Sequence, residues 1–415
     1  MNELALFGGR PVREKPFPKY NTIGEEEKRA AMAVLDNGVL SQFLGTWSPD
    51  FYGGPRVQTL ERSWEAYFRV SHAVSMNSAT SGLYAAVGAA GVRPGDEVIV
   101  SPYTMAASAT AALIYGGIPV FADIDPETFC LSPESIRKNI NTRTKAIIVV
   151  DLFGRPADMN EIMEVAKEHD LVVIEDAAQA PGAKYHGRYA GTLADIGVFS
   201  LNYHKTIHCG EGGIVVTANP IFAERLQLIR NHAEAVVEAK GVTDLTNMIG
   251  YNYRMTEIEA AIAAEQLKKL ERLVSARIAA ASRIAAAING IPGLNVNVPG
   301  TDIRHGYYVV PISYDAAKTG VPRSRFVEAV RAEGIPVGEG YVKPLYLHPL
   351  YQQQQFIFKN ERRETARAYP RGLCPVAEKM HFDSLITCGL CHADLLERDL
   401  DDITEAFEKV ASLLK

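Results

Sequence analysis

The sequence lacks an excess of basic residues and has no long uninterrupted apolar run. Its 415 residues include 43 Lys and Arg against 49 Asp and Glu, which gives a formal net charge of −6. This balance predicts no basic surface for nucleic acid or for an anionic membrane. No stretch approaches the roughly 18 apolar residues of a transmembrane helix, and the opening residues are not typical of a signal peptide. We therefore expect a soluble, cytoplasmic protein that binds neither nucleic acid nor membranes.

Cysteine is also scarce, with five in the chain. An odd number without a secretory signal argues against a disulfide framework. The CGLCH sequence at 388–392 matches the pattern for c-type haem attachment, which requires export. Together with His381 it could also supply the four ligands of a zinc site. We favour incidental thiols and expect no metal, with zinc as the alternative.

From about residue 75 to 217 the sequence alternates between helical and extended patterns. Runs rich in small residues, at 81–91 and 105–117, separate short apolar runs bounded by turn residues. Two of the apolar runs, 145–153 and 171–178, are nearly continuous in apolar character, as strands buried on both faces are. This alternation predicts an α/β fold with a mostly parallel sheet flanked by helices. The predicted strands are 97–101, 118–124, 145–153, 171–178, 196–201 and 212–217.

A long Ala-rich helical pattern follows this region and ends near residue 289. Beyond it come short strands and loops, and an amphipathic helix closes the chain. We predict two domains. Residues 1–255 form an N-terminal segment and a large α/β domain, and residues 256–415 form a long linking helix and a smaller α+β domain.

Polar residues follow two neighbouring predicted strands, at the edge where parallel α/β sheets bind ligands. Asp176 and Gln179 come directly after one strand, and Lys205 follows the next. Asp176 could instead be a helix N-cap, and Lys205 could be an ordinary surface charge. The Gly-rich stretch 209–213 allows the backbone to approach a ligand closely. It favours Lys205 as a site residue, because burial at a strand end can lower the pKa of its amine.

The segment NSATSGL at 77–83 leads into a predicted helix. Such a helix start offers backbone N–H groups and a favourable dipole to a phosphate, although an ordinary N-cap is the alternative. A lysine, an acid and a phosphate site are together what pyridoxal 5'-phosphate (PLP) requires. A metal or thiol site would use only His204, His208 and Cys209, and would leave the acid and the helix start without a role. We therefore predict PLP as the cofactor.

Spaced motifs in a fixed order make the chain similar to the DegT/DnrJ/StrS family of PLP-dependent sugar aminotransferases. The match covers nearly the whole chain, and several motifs in family order are more specific than any single one. The resemblance implies fold type I of the PLP-dependent transferases. The motifs are LFGGRPVR (6–13), NSATSGL (77–83), RPGDEVIVSPYT (93–104), GRPADM (154–159), IEDAAQA (174–180), FSLNYHKTIHCGEGG (199–213) and GYNYRMTEIEAAIAAEQL (250–267).

The resemblance implies roles for the residues after the strands. Lys205 would hold the cofactor as a Schiff base and move the proton. Asp176 would keep the pyridine nitrogen protonated, and Gln179 would contact the ring hydroxyl. These three residues are the predicted catalytic and ring-binding group.

The resemblance also implies a phosphate site shared between subunits. Ala79, Thr80 and Ser200 would bind the cofactor phosphate. Asn252 would complete the phosphate site of the neighbouring subunit, which implies a homodimer with shared active sites. Arg254, in the same segment, could face an anionic substrate.

Two positions bear on cofactor stacking and on the reaction. Where the family usually has an aromatic residue stacked on the cofactor ring, this chain has Met105, whose thioether can also pack on a ring. Tyr103 is the alternative stacking residue. Some relatives replace the Schiff-base lysine with His and are sugar dehydratases. Here Lys205 occupies that position with His204 beside it, which favours transamination.

We therefore predict an aminotransferase that moves an amino group, from glutamate by family resemblance, to a keto group of a nucleotide-linked deoxysugar. The opening motif 6–13 and the unusual segment 369–383 lean towards an acceptor of another kind, a cyclitol ketone of the inosose type used for aminoglycoside-type antibiotics. A PLP-dependent sugar dehydratase is a further alternative. The aromatic stretch 339–351 could form a wall for the acceptor or be an ordinary loop.

Overall fold

The computed structural model describes residues 3–354 and 367–414. The helices are α1 (Glu25–Asn37), α2 (Pro55–Phe68), α3 (Ala79–Ala89), α4 (Ala106–Leu113), α5 (Pro133–Asn139), α6 (Met159–Glu168), α7 (Pro220–Arg230), α8 (Val237–Lys240), α9 (Glu257–Ile288), α10 (Ala316–Thr319), α11 (Arg323–Ala332), α12 (Pro349–Gln353), α13 (Pro375–Lys379) and α14 (Glu397–Leu413). The strands are β1 (His72–Met76), β2 (Glu97–Val100), β3 (Ile118–Phe121), β4 (Thr144–Val150), β5 (Val172–Asp176), β6 (Lys184–Tyr185), β7 (Arg188–Tyr189), β8 (Ile196–Ser200), β9 (Gly213–Thr217), β10 (Leu294–Asn295), β11 (Ile303–Arg304), β12 (Val310–Tyr314), β13 (Val337–Glu339) and β14 (Leu385–Cys388).

A seven-stranded sheet forms the centre of the larger part of the chain. Its strand order is β1-β9-β8-β5-β4-β2-β3. Strands β8, β5, β4, β2 and β3 pair in parallel, whereas β9 runs antiparallel to both β8 and β1. Side chains of the central strands are buried on both faces, as their continuous apolar runs predict. The predicted α/β fold with a mostly parallel sheet is confirmed.

The sheet differs from the prediction at one edge. All six predicted strands are present, but β1 is not predicted from the sequence because it is short and contains the polar His72 and Ser75. The reversed direction of β9 is not predicted either, since its apolar residues read like those of a parallel strand. This reversal has a consequence for the site, because it places Gly213 opposite Ser200 at the end of β8.

Helices cover both faces of the sheet, and apolar side chains of helices and strands pack together on each face. Helices α3, α4 and α7 contribute to one apolar cluster with the central strands. Helix α2 and the first half of α9 contribute to another on the opposite face. There Trp64 and Phe68 pack against Phe199 of β8, with ring centroids 5.3 and 4.7 Å apart. Strand β8, which leads into the predicted lysine turn, is therefore held on a rigid base.

A second, antiparallel sheet with the order β10-β12-β14-β13 lies in the later part of the chain. Its apolar cluster includes residues of α9, α11 and α14, and also Leu4 from the start of the chain. The Glu333 carboxylate accepts hydrogen bonds from the N–H groups of Ala5 and Val12, at 2.9 and 3.1 Å. The N-terminal segment therefore contacts the later part of the chain. The predicted domain boundary between residues 255 and 256 stays a prediction.

Helix α9 connects the two cores. It begins with a capping box, in which the Glu259 carboxylate accepts the Thr256 N–H at 2.9 Å and the Thr256 hydroxyl oxygen accepts the Glu259 N–H. Leu267 packs in the cluster below the large sheet, whereas Ile284 packs in the cluster of the small one. Neither α9 nor any other helix of the described residues is long and apolar enough to cross a membrane.

Candidate active site

Seven of the eight predicted cofactor residues line one cavity of about 170 Å³ at the carboxyl ends of β5 and β8. The cavity lies where the parallel strands end, as the topology of α/β sheets predicts. A larger cavity of about 680 Å³ lies between α3, α7 and the loop 240–246 and contacts none of the predicted residues. The seven residues are Ala79, Thr80, Met105, Asp176, Gln179, Ser200 and Lys205.

Lys205 is half-buried in the turn that follows β8. Its backbone N–H donates to the Asn202 carbonyl at 2.9 Å, which fixes the turn. Burial removes the amine from water and lowers its pKa from 10.5 to about 8, while the charge of Asp176 acts in the opposite direction. The amine is therefore able to gain and lose a proton near neutral pH.

Asp176 is buried at the last residue of β5. Its Oδ2 accepts the Ser108 hydroxyl at 2.7 Å, and its Oδ1 accepts the Ala178 N–H at 3.2 Å. Burial raises the pKa of this carboxyl above 3.8, while Ser108, Ala178 and the charge of Lys205 act to lower it. Two donors therefore hold the carboxylate in a fixed orientation beside the cavity.

A pair of buried carboxyl groups, Asp151 and Glu175, lies next to Asp176, and the sequence does not predict this pair. Asp151 Oδ1 accepts the Ala157 N–H at 3.0 Å, and Glu175 Oε2 accepts the Leu193 N–H at 2.9 Å. Their other oxygens, Asp151 Oδ2 and Glu175 Oε1, are buried without a donor among the described residues. Burial and the nearby charge of Glu175 raise the pKa of Asp151 well above 3.8. Burial also raises the pKa of Glu175 above 4.5, so both carboxyl groups resist losing their protons.

Gln179 is held at both ends of its amide. Its Oε1 accepts the Phe153 N–H at 2.7 Å, and its Nε2 donates to the Tyr341 hydroxyl at 2.9 Å. The Tyr341 N–H in turn donates to the hydroxyl of Tyr103 at 2.9 Å. Tyr103, the alternative stacking residue, is fully buried in this network and does not line the cavity.

The start of α3 forms a cradle with the end of β8. The Ser78 hydroxyl oxygen accepts the Ser81 N–H, which leaves the N–H groups of Ala79 and Thr80 without an acceptor among the described residues. A Cβ at Gly213 would lie 2.6 Å from the Ala79 nitrogen, so only glycine permits this close approach of β9 to the helix. The cradle thus presents free N–H groups and the positive end of a helix dipole to the cavity.

Two of the predicted residues, Met105 and Asn252, are exposed, and we call them the open side of the site. Met105 lines the cavity with 59% of its surface exposed, and its sulfur accepts the Ala107 N–H at 3.1 Å at the start of α4. Asn252, the eighth predicted residue, does not line the cavity of its own chain. It is exposed, and its Oδ1 accepts the Arg254 Nε–H at 2.7 Å. Within the described residues, Asn252 therefore stays outside the cavity that the other seven predicted residues line.

Several residues of the site are not predicted from the sequence. Tyr308 and Ser108 come from distant segments, and no local pattern marks them. His204 and Glu211 belong to the motif 199–213 and are expected only as surroundings of Lys205. Asn202 belongs to the same motif, which could have indicated it. Asn202 donates two hydrogen bonds to the Glu211 carboxylate, at 2.8 and 2.9 Å, which stabilises the turn around Lys205.

The aromatic stretch 339–351 does not form a continuous wall. Only Tyr341 reaches the site residues, through Gln179. Tyr346 and Tyr351 are buried in the core of the large sheet, with ring centroids 5.7 and 5.1 Å from Phe121. The interpretation of the whole stretch as an acceptor wall is wrong, because these rings fill the core behind β3.

The cysteines are all buried free thiols. Cys391 donates to the Tyr307 carbonyl at 3.0 Å, and His392 packs against the ring of Tyr20, with centroids 5.3 Å apart. Within residues 3–354 and 367–414, no group of three or more His, Cys, Asp or Glu side chains could hold a metal ion. The thiols of the CGLCH sequence therefore pack as individual side chains in this structure.

Comparisons with known proteins cover almost the full length of the chain. A sequence model described as the DegT/DnrJ/EryC1/StrS aminotransferase family matches residues 22–386. The L-glutamine:2-deoxy-scyllo-inosose aminotransferase of Streptomyces kanamyceticus is 34% identical, over 99% of this chain and 97% of that protein. The aminotransferase from Psychrobacter cryohalolentis superposes with a TM-score of 0.83 at 28% identity, covering 96% of this chain and 99% of that chain. DesI, solved in the presence of its TDP-sugar product, gives 0.81 at 27% identity, covering 99% and 96%.

Proposed function

The chain belongs to the DegT/DnrJ/EryC1/StrS aminotransferase family, and from this membership we propose that it transfers an amino group to a ketone on a polyhydroxylated ring. The predicted family, the α/β fold of PLP-dependent transferases, the aminotransferase activity and the PLP cofactor are confirmed. The sugar type of the substrate is likewise supported at the level of the family. The donor, the acceptor and the roles of individual residues are our proposal.

The residues of the cavity fit PLP. They provide a free amine at Lys205, a carboxylate fixed by two donors at Asp176, and an anion cradle at the start of α3 that Gly213 keeps open. When bound, PLP supplies an electron sink that stabilises the negative charge left at a carbon that loses its proton. The residues of the chain must therefore bind it, orient it and move the proton.

Each of these tasks falls to a residue of the buried side. Lys205 would hold the cofactor covalently and, once free, would move a proton at Nζ, for which a pKa of about 8 is suitable. Asp176 would supply a negative charge to the ring nitrogen. Gln179, fixed by the Phe153 N–H and by Tyr341, would orient the ring hydroxyl. Ala79, Thr80 and Ser200 would bind the phosphate.

The charge of the cavity lining supports a neutral acceptor and a neutral donor side chain. Among the lining residues that the structure describes, Lys205 contributes +1, and Asp176 and Glu211 contribute −1 each, which sums to −1. Removal from water and the neighbouring Lys205 charge lower the pKa of His204, so its ring is neutral at pH 7. A cyclitol ketone and L-glutamine carry less negative charge into this lining than a sugar diphosphate and glutamate do. We therefore propose a cyclitol ketone of the inosose type as acceptor and glutamine as donor.

A nucleotide-linked keto sugar with glutamate as donor is the second candidate. The similarity to DesI, whose structure was solved with a TDP-sugar product, favours it. This pairing needs cations at the open side, beyond those that line the cavity of one chain. Arg254 lies in the exposed segment that carries Asn252 and could supply one to a neighbouring subunit.

We also propose that the enzyme is a homodimer with shared active sites. The open side and the exposed Asn252 are both explained if each chain completes the other's phosphate site. Exposed apolar side chains on α1 and the loop after it provide a surface for such a contact; they are Met32, Leu35, Leu40 and Leu44. Mixing the Lys205→Ala protein with the Asn252→Ala protein should raise activity above the average of the two variants, because one of the mixed sites carries neither change. No recovery after subunit exchange would count against shared sites. A cytoplasmic location stays a prediction.

The acceptor is tested with amino-¹⁵N-labelled donors. The purified, PLP-loaded enzyme is given labelled glutamine or glutamate with either 2-deoxy-scyllo-inosose or a TDP-linked keto-deoxysugar, and the ¹⁵N in the product is measured by mass spectrometry. We expect the highest kcat/KM for glutamine with the inosose. Labelling of the TDP-sugar alone would support the second candidate, and loss of water without ¹⁵N transfer would identify a dehydratase.

A further inference from the structure

Tyr308 lies against the amine of Lys205. The Lys205 Nζ is 4.7 Å from the centroid of the Tyr308 ring, over its face. Burial raises the pKa of the Tyr308 phenol, so the ring stays neutral at physiological pH. A neutral aromatic face at this distance attracts an ammonium group through the ring quadrupole. The ring therefore favours the charged form of the free amine and a single position for it.

The backbone of Tyr308 is fixed to the same loop that holds Gln179. The Tyr308 N–H donates to the Phe153 carbonyl at 2.7 Å, and the Gly306 N–H donates to the Gly154 carbonyl at 2.7 Å. Gly154 has a φ of +89°, and a Cβ there would lie 2.9 Å from the Tyr308 nitrogen. A glycine is needed at this position, and the ring is consequently presented on a rigid support.

We propose that Tyr308 is a positioning residue that holds the free ammonium of Lys205 over its ring. This inference rests on the proposed function, in which Lys205 moves the proton, and it adds a residue that positions the Lys205 amine. During a transfer cycle the lysine is released and must stay close to the position where it moves the proton. A flexible four-carbon side chain loses rotamer freedom when it is held, and the ring supplies a favourable contact that offsets this loss.

Two influences on the Lys205 amine oppose each other, and Tyr308 could contribute to either. As an aromatic face it stabilises the ammonium, which raises the pKa of the amine. As a bulky apolar group it excludes water, which lowers that pKa. The sign of the change on removing the ring therefore distinguishes a positioning role from simple shielding. The other charged or titratable groups near this pair are Asp176, Tyr203, His204, Arg277 and Tyr341.

The test measures the pKa of the Lys205 amine directly. Full-length protein freed of PLP is labelled with trace acetic anhydride at pH 6 to 10, and acetylation of Lys205 is quantified by peptide mass spectrometry. Tyr308→Leu should lower the pKa of this amine by about half a unit to one unit. Tyr308→Phe, which keeps the ring, should leave it at the wild-type value. An unchanged or raised pKa in Tyr308→Leu would overturn the proposal.

Two controls make the result specific. Tyr203→Leu removes a neighbouring ring that is 68% exposed and does not lie over Nζ, so it should not move the pKa of Lys205. If Tyr308→Leu does not fold, as judged by circular dichroism and Tm, Tyr308→Met provides a second variant without the ring. The labelling needs neither cofactor nor substrate, whereas the ¹⁵N assay reports amino transfer. Failure of the positioning proposal for Tyr308 is therefore distinguishable from failure of the proposed amino transfer.

Discussion

The two sides of the candidate site are built differently. On the buried side, Asp176, Gln179 and Ser200 are each held by hydrogen bonds within one chain. On the open side, Met105 and Asn252 are exposed. Under the proposed roles, the groups for chemistry are complete in one chain. The groups that close the cofactor site would then come from a partner subunit or from the substrate.

The physical reason lies in what buried polar groups require. A polar atom removed from water must find a hydrogen-bond partner, so the buried side is fully specified by its surroundings. Exposed groups such as the side-chain amide of Asn252 have water as an alternative partner and remain available to bind a ligand. Substitutions on the two sides should therefore have effects of very different size.

The largest effect is expected for Lys205→Ala. This change removes both the anchor of the cofactor and the group that moves the proton. We expect kcat for amino transfer to fall at least about 1000-fold, within the range lost with a general acid–base group. Steady-state product formation measures it, with Lys343→Ala, an exposed lysine, as the matched control. A Lys205→Ala enzyme that retains a tenth of the wild-type activity would contradict the role of Lys205 as cofactor anchor and proton-transfer group.

A smaller but still large effect is expected for Asp176→Asn, which keeps the size of the side chain and removes its charge. Loss of a charge facing the reacting system typically costs about 100-fold or more in kcat. The charge of Asp176 raises the pKa of Lys205, so the variant should have a Lys205 pKa below about 8, seen as a shift of the pH–rate profile to lower pH. Ser108→Ala, which removes only one hydrogen bond to Asp176, should cost much less; an equal loss would contradict this account.

The carboxyl pair beside the site should affect stability through pH. Folding raises the pKa of Asp151 above its ordinary value of 3.8. The contribution of this group to the free energy of unfolding is therefore fully present below pH 3.8. It is lost as the pH rises towards and through the pKa of Asp151 in the folded state. Asp151→Asn removes the effect and can still donate to Glu175. Relative to wild type, the variant should gain about 1.4 kcal/mol in free energy of unfolding per pH unit across this window.

Denaturant unfolding at pH 5, 6, 7 and 8 measures this gain. The exposed Asp302→Asn should show no such trend and serves as the control. A stability difference between Asp151→Asn and wild type that does not change with pH would show that folding does not raise the pKa of Asp151.

The smallest effect is expected on the open side. If Met105 packs on the cofactor ring, Met105→Ala should weaken PLP binding by a few-fold to about tenfold, the range of a sulfur–aromatic contact. Met105→Phe should bind PLP as tightly as wild type or more so. Equilibrium titration followed by absorbance measures both, and unchanged binding in Met105→Ala would assign the stacking role to another residue.

The sequence predicts the buried side well because its residues follow strands in continuous motifs. Asp176, Gln179 and Lys205 reach one cavity since the parallel strands that precede them are neighbours. Ser108 and Tyr308 are missed because folding brings them from distant segments to Asp176 and Lys205. No local sequence pattern predicts these two contacts. The same applies to Asp151 and Glu175, whose raised pKa values depend on both being buried. The sequence leaves the aromatic stretch 339–351 open between a wall and an ordinary loop, because a tyrosine in the core and a tyrosine at a site have the same local sequence pattern.

The most direct measurement is borohydride reduction of the PLP-loaded protein followed by peptide mass spectrometry. The account predicts an absorption band at about 400–430 nm, typical of PLP joined to a lysine, that reduction removes, with one stable cofactor adduct on the peptide that contains Lys205. The Lys205→Ala variant should carry no adduct. An adduct on another lysine, or no adduct in a protein that transfers amino groups, would contradict the assignment of Lys205 and of the buried side built around it.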